Sequence, residues 1–257
     1  MQIIKYTKKG SNKYELTLKD DTKLLLYTDL ILKYNDLIIK NMDNNILTEI
    51  EKDNLKLDCY YKTLKYLKNP KCTKDIKNYL KEYPLPIVEY TITRLTNEGY
   101  LNDYNYIKAY INTKINLSHD GYYKIYYSLK DKDLDDNIIK EYLDNIEDSI
   151  WLDKINKIID SKLKSNTKYS NNLLINKIKN YLKTLGFQDY LINIALNNVT
   201  LDNTHEDEKL KKDYEKLYNK YKNKYDKNKL NYILIGKLYQ KGYELAKVKT
   251  LVTTSNS

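Results

Sequence analysis

Proline and glycine, the residues that most often mark turns, are scarce: the 257 residues include three prolines and six glycines. A sandwich or barrel of many strands needs more turn residues than this, so the composition argues against an all-β fold. The hydrophobic fraction of 41% supplies a core, and the charged fraction of 31% is typical of long solvated helical faces. We therefore predict a mainly helical protein.

Residues with metal and redox chemistry are few as well. Cys59 and Cys72 are the only thiols and cannot form the disulfide framework of a small secreted domain, which favours a reducing, cytoplasmic location. The two histidines, His119 and His205, lie far apart, and the sequence has no glycine-rich phosphate loop or nucleophile elbow. We expect no catalytic activity, no metal and no cofactor.

Long apolar runs are absent too, since no stretch approaches the roughly 20 residues that a helix needs to cross a bilayer. The beginning of the chain, MQIIKYTKKG, lacks the apolar region of a signal peptide. We therefore expect neither a secretion signal nor contact with a membrane.

Arginine, phenylalanine and tryptophan each occur once, whereas tyrosine occurs 29 times. This bias, with lysine in place of arginine, is what an AT-rich genome favours. Most tyrosines are therefore interpreted as replacements for core phenylalanine, with the hydroxyl reaching the surface. Only a small minority of them is expected to stack on nucleobases.

Charge is distributed unevenly along the chain. Residues 209–249 contain 13 lysines and four acidic residues, a net charge of +9 against +10 for the whole chain. Residues 161–188 contain six lysines and no acidic residue, whereas residues 131–160 carry a net charge of −6. Mutational bias does not easily produce such segregation, so the C-terminal half is predicted to offer an electropositive surface to a polyanion or an acidic protein groove. A coat of solvated lysines without a partner is the alternative.

The beginning of the chain differs from the remainder. Three short β-prone runs predict a small antiparallel meander, and they cover residues 2–7, 13–19 and 22–27. Residues 29–57 predict two short helices, with Thr48 capping the second and Glu51 at its capping-box position.

After that, four segments repeat one apolar phrase. An apolar residue is followed by leucine four positions later and by another apolar residue five positions after the leucine; the leucines are Leu80, Leu129, Leu182 and Leu238. Gly186 and Gly242 occupy the corner of the last two copies, where a left-handed helix end requires glycine. One amphipathic helix precedes each phrase and another follows the corner, which predicts a unit of three helices.

The predicted fold class is therefore mainly α: an elongated array of tandem three-helix repeats behind a small N-terminal β-meander. Stacking such units buries apolar faces that one unit cannot bury alone. The expected boundaries are an N-terminal extension at 1–57 and repeats at 58–99, 100–147, 148–200 and 206–254, of which the last is strongly basic.

The segment GYLNDYNY resembles the central signature of the RecX family, which is Gly, an aromatic residue, an aliphatic residue, any residue, Asp, and an aromatic residue three positions on. Residues further along match the helix pair that follows the signature, and the resemblance covers almost the whole chain. The matched positions that we single out are Gly99, Tyr100, Asp103, Tyr106, Gly121 and Leu129.

The chain departs from the family pattern in two places. Family members usually carry an arginine-rich stretch with a serine before the helix of the first repeat. Residues 66–74 carry lysines instead, and Thr73 is predicted to take the serine's role as N-cap. Asp133 follows Lys132 where the family usually has glycine.

The resemblance implies a regulator that binds along filaments of the RecA recombinase on single-stranded DNA, opposes their growth and dampens ATP hydrolysis and strand exchange in recombination and DNA repair. We expect an elongated monomer whose partners are the RecA filament and single-stranded DNA, or double-stranded DNA as well. The basic repeats would face the filament groove and DNA phosphates. The candidate contact residues are Arg94, Lys114, Lys124, Lys177, Lys179, Lys183, Lys237 and Lys241.

Two other functions stay open. A stand-alone nucleic-acid-binding repeat protein is one, because three-helix units resemble helix-turn-helix folds and the basic end suits DNA or RNA. A protein scaffold with no nucleic-acid role is the other. A filament regulator should bind RecA–DNA far better than DNA alone, whereas a scaffold should show weak salt dependence. Whether filaments are inhibited or stabilised is left open by the sequence.

Overall fold

The computed structural model describes residues 1–40, 43–166, 168–201 and 203–255. Within them the chain forms three strands, β1 (Ile3–Lys8), β2 (Lys13–Leu18) and β3 (Lys23–Tyr27). The helices that follow are α1 (Thr28–Lys33), α2 (Asn35–Ile38), α3 (Asn44–Tyr66), α4 (Thr73–Tyr79), α5 (Leu85–Asn97), α6 (Asp103–Leu117), α7 (Tyr122–Lys130), α8 (Asp136–Asp144), α9 (Asp148–Lys164), α10 (Asn171–Thr184), α11 (Asp189–Asn197), α12 (Asn203–Tyr221), α13 (Lys227–Gln240) and α14 (Leu245–Ser255).

The mainly helical fold with an N-terminal meander is confirmed. The sheet is antiparallel in the order β1-β2-β3, and Leu16 of β2 lies opposite Tyr6 and Leu24. Leu16 is fully buried and Leu26 is 2% exposed. One face of the sheet therefore packs on a hydrophobic core. Successive side chains of a strand point to opposite faces, so a run of only five or six residues carries a recognisable pattern. This is why three short β-prone runs were enough to predict the sheet.

The prediction for residues 29–57 is wrong in one respect. Helix α3 begins at Asn44, and its N-cap is Asp43, whose carboxylate accepts the Asn45 N–H at 3.1 Å. Thr48 therefore lies inside α3 and caps nothing. The amphipathic helix predicted before the first repeated phrase is the second half of the same 23-residue helix. Asp43 is as strong a cap as threonine and precedes Thr48 in the sequence. The helix therefore begins directly after Asp43, and the capping-box pattern at Thr48 and Glu51 lies within it, where no free N–H groups need a cap. The predicted boundary at residue 57 thus falls within a continuous helix, and the division into repeats stays a prediction.

The prediction of Thr73 as N-cap is also wrong, since that position belongs to Cys72. The Cys72 N–H donates to Asp75 Oδ2 at 3.2 Å, and the Thr73 N–H donates to Asp103 Oδ1 at 2.8 Å. Two carboxylates, one of them from α6, thus accept the first two N–H groups at this helix start.

The chain divides into two compact units: residues 1–109 with 132–134, and residues 110–131 with 135–257. In the first unit Asp58 of α3 links the sheet to the helices. Its carboxylate accepts hydrogen bonds from Lys13 Nζ (2.9 Å), Tyr27 Oη (2.9 Å) and Tyr83 Oη (2.7 Å). Ionic and hydroxyl donors together lower the pKa of Asp58, although burial alone would raise it.

Several tyrosines that pack in the cores donate their hydroxyls to carboxylates, which fits their interpretation as replacements for phenylalanine. Tyr60 is 6% exposed and donates to Glu98 at 2.5 Å, and burial with this contact raises the pKa of Tyr60 to about 12. The same pairing recurs at Tyr122–Asp144, Tyr126–Asp136, Tyr190–Asp148 and Tyr243–Asp213.

In the second unit the predicted glycine corners are confirmed. Gly186 and Gly242 have φ angles of +83° and +88°, values that favour glycine because it lacks a Cβ. The Gly186 corner packs on the start of α7, where the Tyr123 N–H donates to Gly186 O at 2.8 Å. Trp151 of α9 is 1% exposed and meets the ring of Phe187 edge-to-face, with 6.3 Å between the ring centroids.

Candidate functional site

The second unit has a groove with a mostly basic lining. We call it the lysine groove; its volume is about 640 Å³, and its lining residues are Lys168, Tyr169, Ser170, Leu173, Lys209, Lys212, Asp213, Lys216 and Lys241. It brings together the two basic segments, 161–188 and 209–249, with five lysines against one carboxylate.

Helix α12 supplies one wall because of its side-chain spacing. Leu210 and Tyr214 are 4% and 7% exposed and pack into the core with α13 and α14. Lys209, Lys212 and Lys216 stand at steps of three and four residues, so they share another face of the helix. Burial of the apolar stripe therefore turns these lysines toward the groove.

The opposite wall is held by contacts between α10 and the end of α13. Ser170, the N-cap of α10, accepts the Leu173 N–H at 3.4 Å and donates its hydroxyl to Lys241 O at 2.6 Å. Gly242 packs so closely that a Cβ there would lie 2.7 Å from Ser170 Oγ. The backbone that carries Lys241 is thus fixed against the start of α10.

Asp213 neutralises only part of this charge. It pairs with Lys241 Nζ at 2.7 Å and accepts the Tyr243 hydroxyl at 3.0 Å, and burial together with this bond raises the pKa of Tyr243. Lys212 and Lys216 are exposed and form no ion pair with any residue in the described part of the chain. Exposed lysines of this kind are the groups with which proteins contact phosphate oxygens without reading a base sequence.

The structure gathers few of the basic residues that we predicted as contacts. Lys241 lines the lysine groove, and Lys177 lies 4.7 Å from the ring centroid of Tyr169, which lines it too. Lys183 pairs with Asp189 at 2.9 Å, Lys179 donates to Asn193 at 3.0 Å, and Lys237 covers the Tyr221 ring at 5.5 Å.

The other three predicted basic residues have local partners. Arg94, in the first unit, stacks on Tyr60 at 3.8 Å and pairs with Glu98 at 2.8 Å. Lys114 and Lys124, in the second unit, both pair with Asp120, at 2.9 Å and 2.6 Å.

Four groove lysines were not singled out from the sequence: Lys168, Lys209, Lys212 and Lys216. The helical spacing of the last three beside the buried stripe of α12 is the pattern that could have found them. Lys168 carries no such pattern, because it lies in the segment before α10 and reaches the groove through tertiary contacts. In these contacts Lys209 Nζ donates to Asn166 O at 3.2 Å and the Asn171 N–H donates to Glu206 at 3.0 Å.

The described residues contain no group of three or more His, Cys, Asp or Glu side chains placed to hold a metal ion. None of the described helices combines the length and the apolar character needed to cross a membrane.

Comparison with known proteins identifies the chain's relatives. No model of a known protein family matches the sequence. The protein named regulatory protein RecX from Finegoldia magna is 31% identical over 192 residues, which cover 72% of this chain and 94% of that protein. The chain belongs to the RecX family. The regulatory protein RecX of Bacillus subtilis (strain 168) extends the match to 95% of this chain, at 25% identity.

Solved structures support the same conclusion for the fold. A crystal structure of regulatory protein RecX superimposes with a TM-score of 0.65 at 19% identity, over 77% of this chain and 99% of that one. RecX from Lactobacillus salivarius superimposes with a TM-score of 0.53 at 25% identity, over 56% of this chain and 96% of that one.

Residues of the RecX signature mostly stabilise the fold. Gly99 ends α5 with a φ of +79°, Asp103 accepts the Thr73 N–H, and Tyr106 lies under Lys132 Nζ, 5.5 Å from its ring centroid. Leu129 is fully buried. Asp103 is thus both a first-turn acid of α6 and an acceptor for the start of α4.

Gly121 is a signature position for a different reason. Its backbone is extended, but a Cβ there would lie 2.5 Å from Phe187 N and 2.6 Å from Gly186 C. The Gly121 N–H donates to Leu185 O at 2.7 Å, which draws the two backbones together. A side chain would force them apart.

Asp120 makes a testable contribution to stability. Burial alone would raise its pKa, but hydrogen bonds from Lys124 and Lys114 outweigh burial and lower the pKa from 3.8 to about 2. Because the folded pKa is depressed, the stabilisation is present above the unfolded pKa and is lost as the pH falls toward 2. Asp120→Asn should lower the free energy of unfolding by about 1–2 kcal/mol at pH 7, allowing for solvent screening of the lysines. Urea titrations followed by Trp151 fluorescence at pH 7 and pH 2.5 measure this, and an equal loss at both pH values would contradict it.

Proposed function

We propose that this member of the RecX family binds RecA filaments on single-stranded DNA and opposes their growth, with reduced ATP hydrolysis and strand exchange as the result. The observation that carries the proposal is the lysine groove in a chain of this family. Five lysines around one carboxylate suit a polyanion such as the DNA backbone of a filament.

The basic residues selected from the sequence take a place in this proposal according to their contacts. Lys241 lines the lysine groove, and Lys177 lies outside the lining but over the ring of Tyr169, which lines it. Lys179, Lys183 and Lys237 also lie outside the lining. The acidic segment 131–160 is proposed to meet lysines of RecA, since its net charge of −6 has the opposite sign to the groove.

The experiment that tests the proposal adds the purified protein to RecA filaments of the same organism on single-stranded DNA and follows ATP hydrolysis. We expect suppression at substoichiometric ratios, because blocking growth at filament ends affects many protomers. A parallel titration with bare DNA measures affinity without RecA. Unchanged hydrolysis together with tight binding to bare DNA would contradict filament regulation.

That last outcome describes the second candidate, a stand-alone nucleic-acid-binding protein. The observation that favours it is that Lys212 and Lys216 are exposed and without an ion pair among the described residues, so they can meet phosphates directly. The two candidates differ in whether affinity rises sharply when RecA coats the DNA.

A further inference from the structure

A second groove lies in the first unit, at the RecX signature itself. Its volume is about 420 Å³, and we call it the signature groove. It is open between the segment that follows α3 and the start of α6. The lining residues are Leu67, Lys68, Asn69, Pro70, Lys71, Gly99, Tyr100, Asn102, Asn105, Tyr106 and Ala109.

The lining has cations and amides but no carboxylate. Lys68 and Lys71 supply positive charge, and the side chains of Asn69 and Asn105 are exposed. Nearby acidic groups are engaged elsewhere: Asp103 accepts the Thr73 N–H at 2.8 Å, and Glu98 pairs with Arg94 at 2.8 Å. An anionic ligand therefore meets no negatively charged side chain in the groove's lining.

Tyr100 differs from the tyrosines that serve as core residues. Its residue surface is 59% exposed, whereas Tyr60, packed against the same helix end, is 6% exposed. Its backbone is held by the Tyr100 N–H, which donates to Leu95 O at 2.9 Å, directly after the left-handed Gly99. An exposed ring on a fixed backbone provides a stacking platform at little cost in conformational entropy.

Aromatic faces beside lysines are the combination by which proteins hold single-stranded nucleic acid, and amide side chains can bond to the edges of unstacked bases. We infer that the signature groove receives an unstacked base of single-stranded DNA on the ring of Tyr100, with Lys68 and Lys71 on the adjoining phosphates. The inference rests on the part of the proposed function in which the protein meets single-stranded DNA, and it adds a base-binding site to the phosphate contacts of the lysine groove.

Two probes separate base stacking from charge: an oligothymidylate of about 15 nucleotides and an abasic strand of equal length, titrated by fluorescence anisotropy without RecA. The wild type should prefer the strand that has bases. Tyr100→Ala should weaken oligothymidylate binding about tenfold and leave binding of the abasic strand unchanged, since one base stack is lost. Tyr100→Phe should bind both strands as the wild type does.

The matched control is Tyr104→Ala, because Tyr104 is 49% exposed on the neighbouring turn of α6 and lies outside the groove's lining. It should bind both strands as the wild type does. Thermal melting of each variant verifies folding. If Tyr100→Ala weakens both strands equally, or neither, the base site is wrong while the DNA contact of the proposed function stands. If the wild type binds neither strand, both the base site and the direct DNA contact fail.

Discussion

Gly186→Ala should lower the free energy of unfolding of the second unit by about 3 kcal/mol. Two costs combine at this corner. A φ of +83° is a left-handed conformation that strains any residue with a Cβ. An alanine Cβ would also lie 2.4 Å from Lys124 N and 2.8 Å from Lys124 Cβ, and the backbone there is held by α7. Neither the backbone strain nor the steric overlap can relax unless the corner after α10 moves away from α7.

Trp151 provides the measurement, because the only tryptophan in the chain is buried against Phe187, the residue after Gly186. Urea unfolding followed by its fluorescence reports on this region. The matched control is Gly236→Ala within α13, where an added Cβ would meet no atom within 4 Å. That substitution should raise stability by up to about 1 kcal/mol, since alanine is the better helix former. If Gly186→Ala lowers the free energy of unfolding by less than about 1 kcal/mol, the corner is not closely packed.

The glycine corners also show why so much of this fold could be predicted from the sequence. An apolar phrase that crosses a corner has a fixed spacing, and Gly186 and Gly242 stand in it where the chain must turn left-handed. The two-residue period of strands is equally local, so the three strands fall close to the predicted runs at 2–7, 13–19 and 22–27.

Local patterns fail where two of them compete or where an unusual residue fills a position. Asp133 takes the left-handed corner with a φ of +56°, a conformation for which aspartate ranks far behind glycine. Its carboxylate pairs with Lys74 at 2.9 Å, a contact with a residue distant in sequence. Likewise, Asp43 and Thr48 are both suitable cap residues, and α3 begins after the first of them, so Thr48 lies within the helix.

The sequence predicts that the candidate site is positively charged, but it does not predict which lysines form it. Segregated charge located the basic half of the chain, because net charge adds up whatever the fold. The partner of each lysine does not follow from such a count: Lys183 meets Asp189 across a helix corner, and Lys124 meets Asp120 one turn earlier. Lys168 and Lys212 lie 44 positions apart in the sequence, and they line one groove because tertiary contacts such as the Asn171–Glu206 hydrogen bond bring the start of α10 to α12.

The double substitution Lys212→Glu/Lys216→Glu should weaken binding of single-stranded DNA about 25-fold at 0.1 M salt. Each phosphate contact on a single strand releases about 0.7 counterion, which is worth a factor of about five at that salt concentration. The slope of log affinity against log salt should therefore fall by about 1.4, and the two proteins should converge as the salt approaches 1 M. Fluorescence anisotropy titrations at four salt concentrations measure both quantities.

The matched control is Lys211→Glu/Lys220→Glu, which makes the same change in net charge on exposed positions of α12 outside the groove's lining. Long-range attraction depends on net charge and is lost equally in both variants, whereas direct phosphate contacts are lost only from the groove. We therefore expect the control to keep most of the affinity and nearly all of the salt slope. Equal losses in the two double variants would mean that the lysines act as a diffuse positive coat, and the lysine groove would then have no special role in binding DNA.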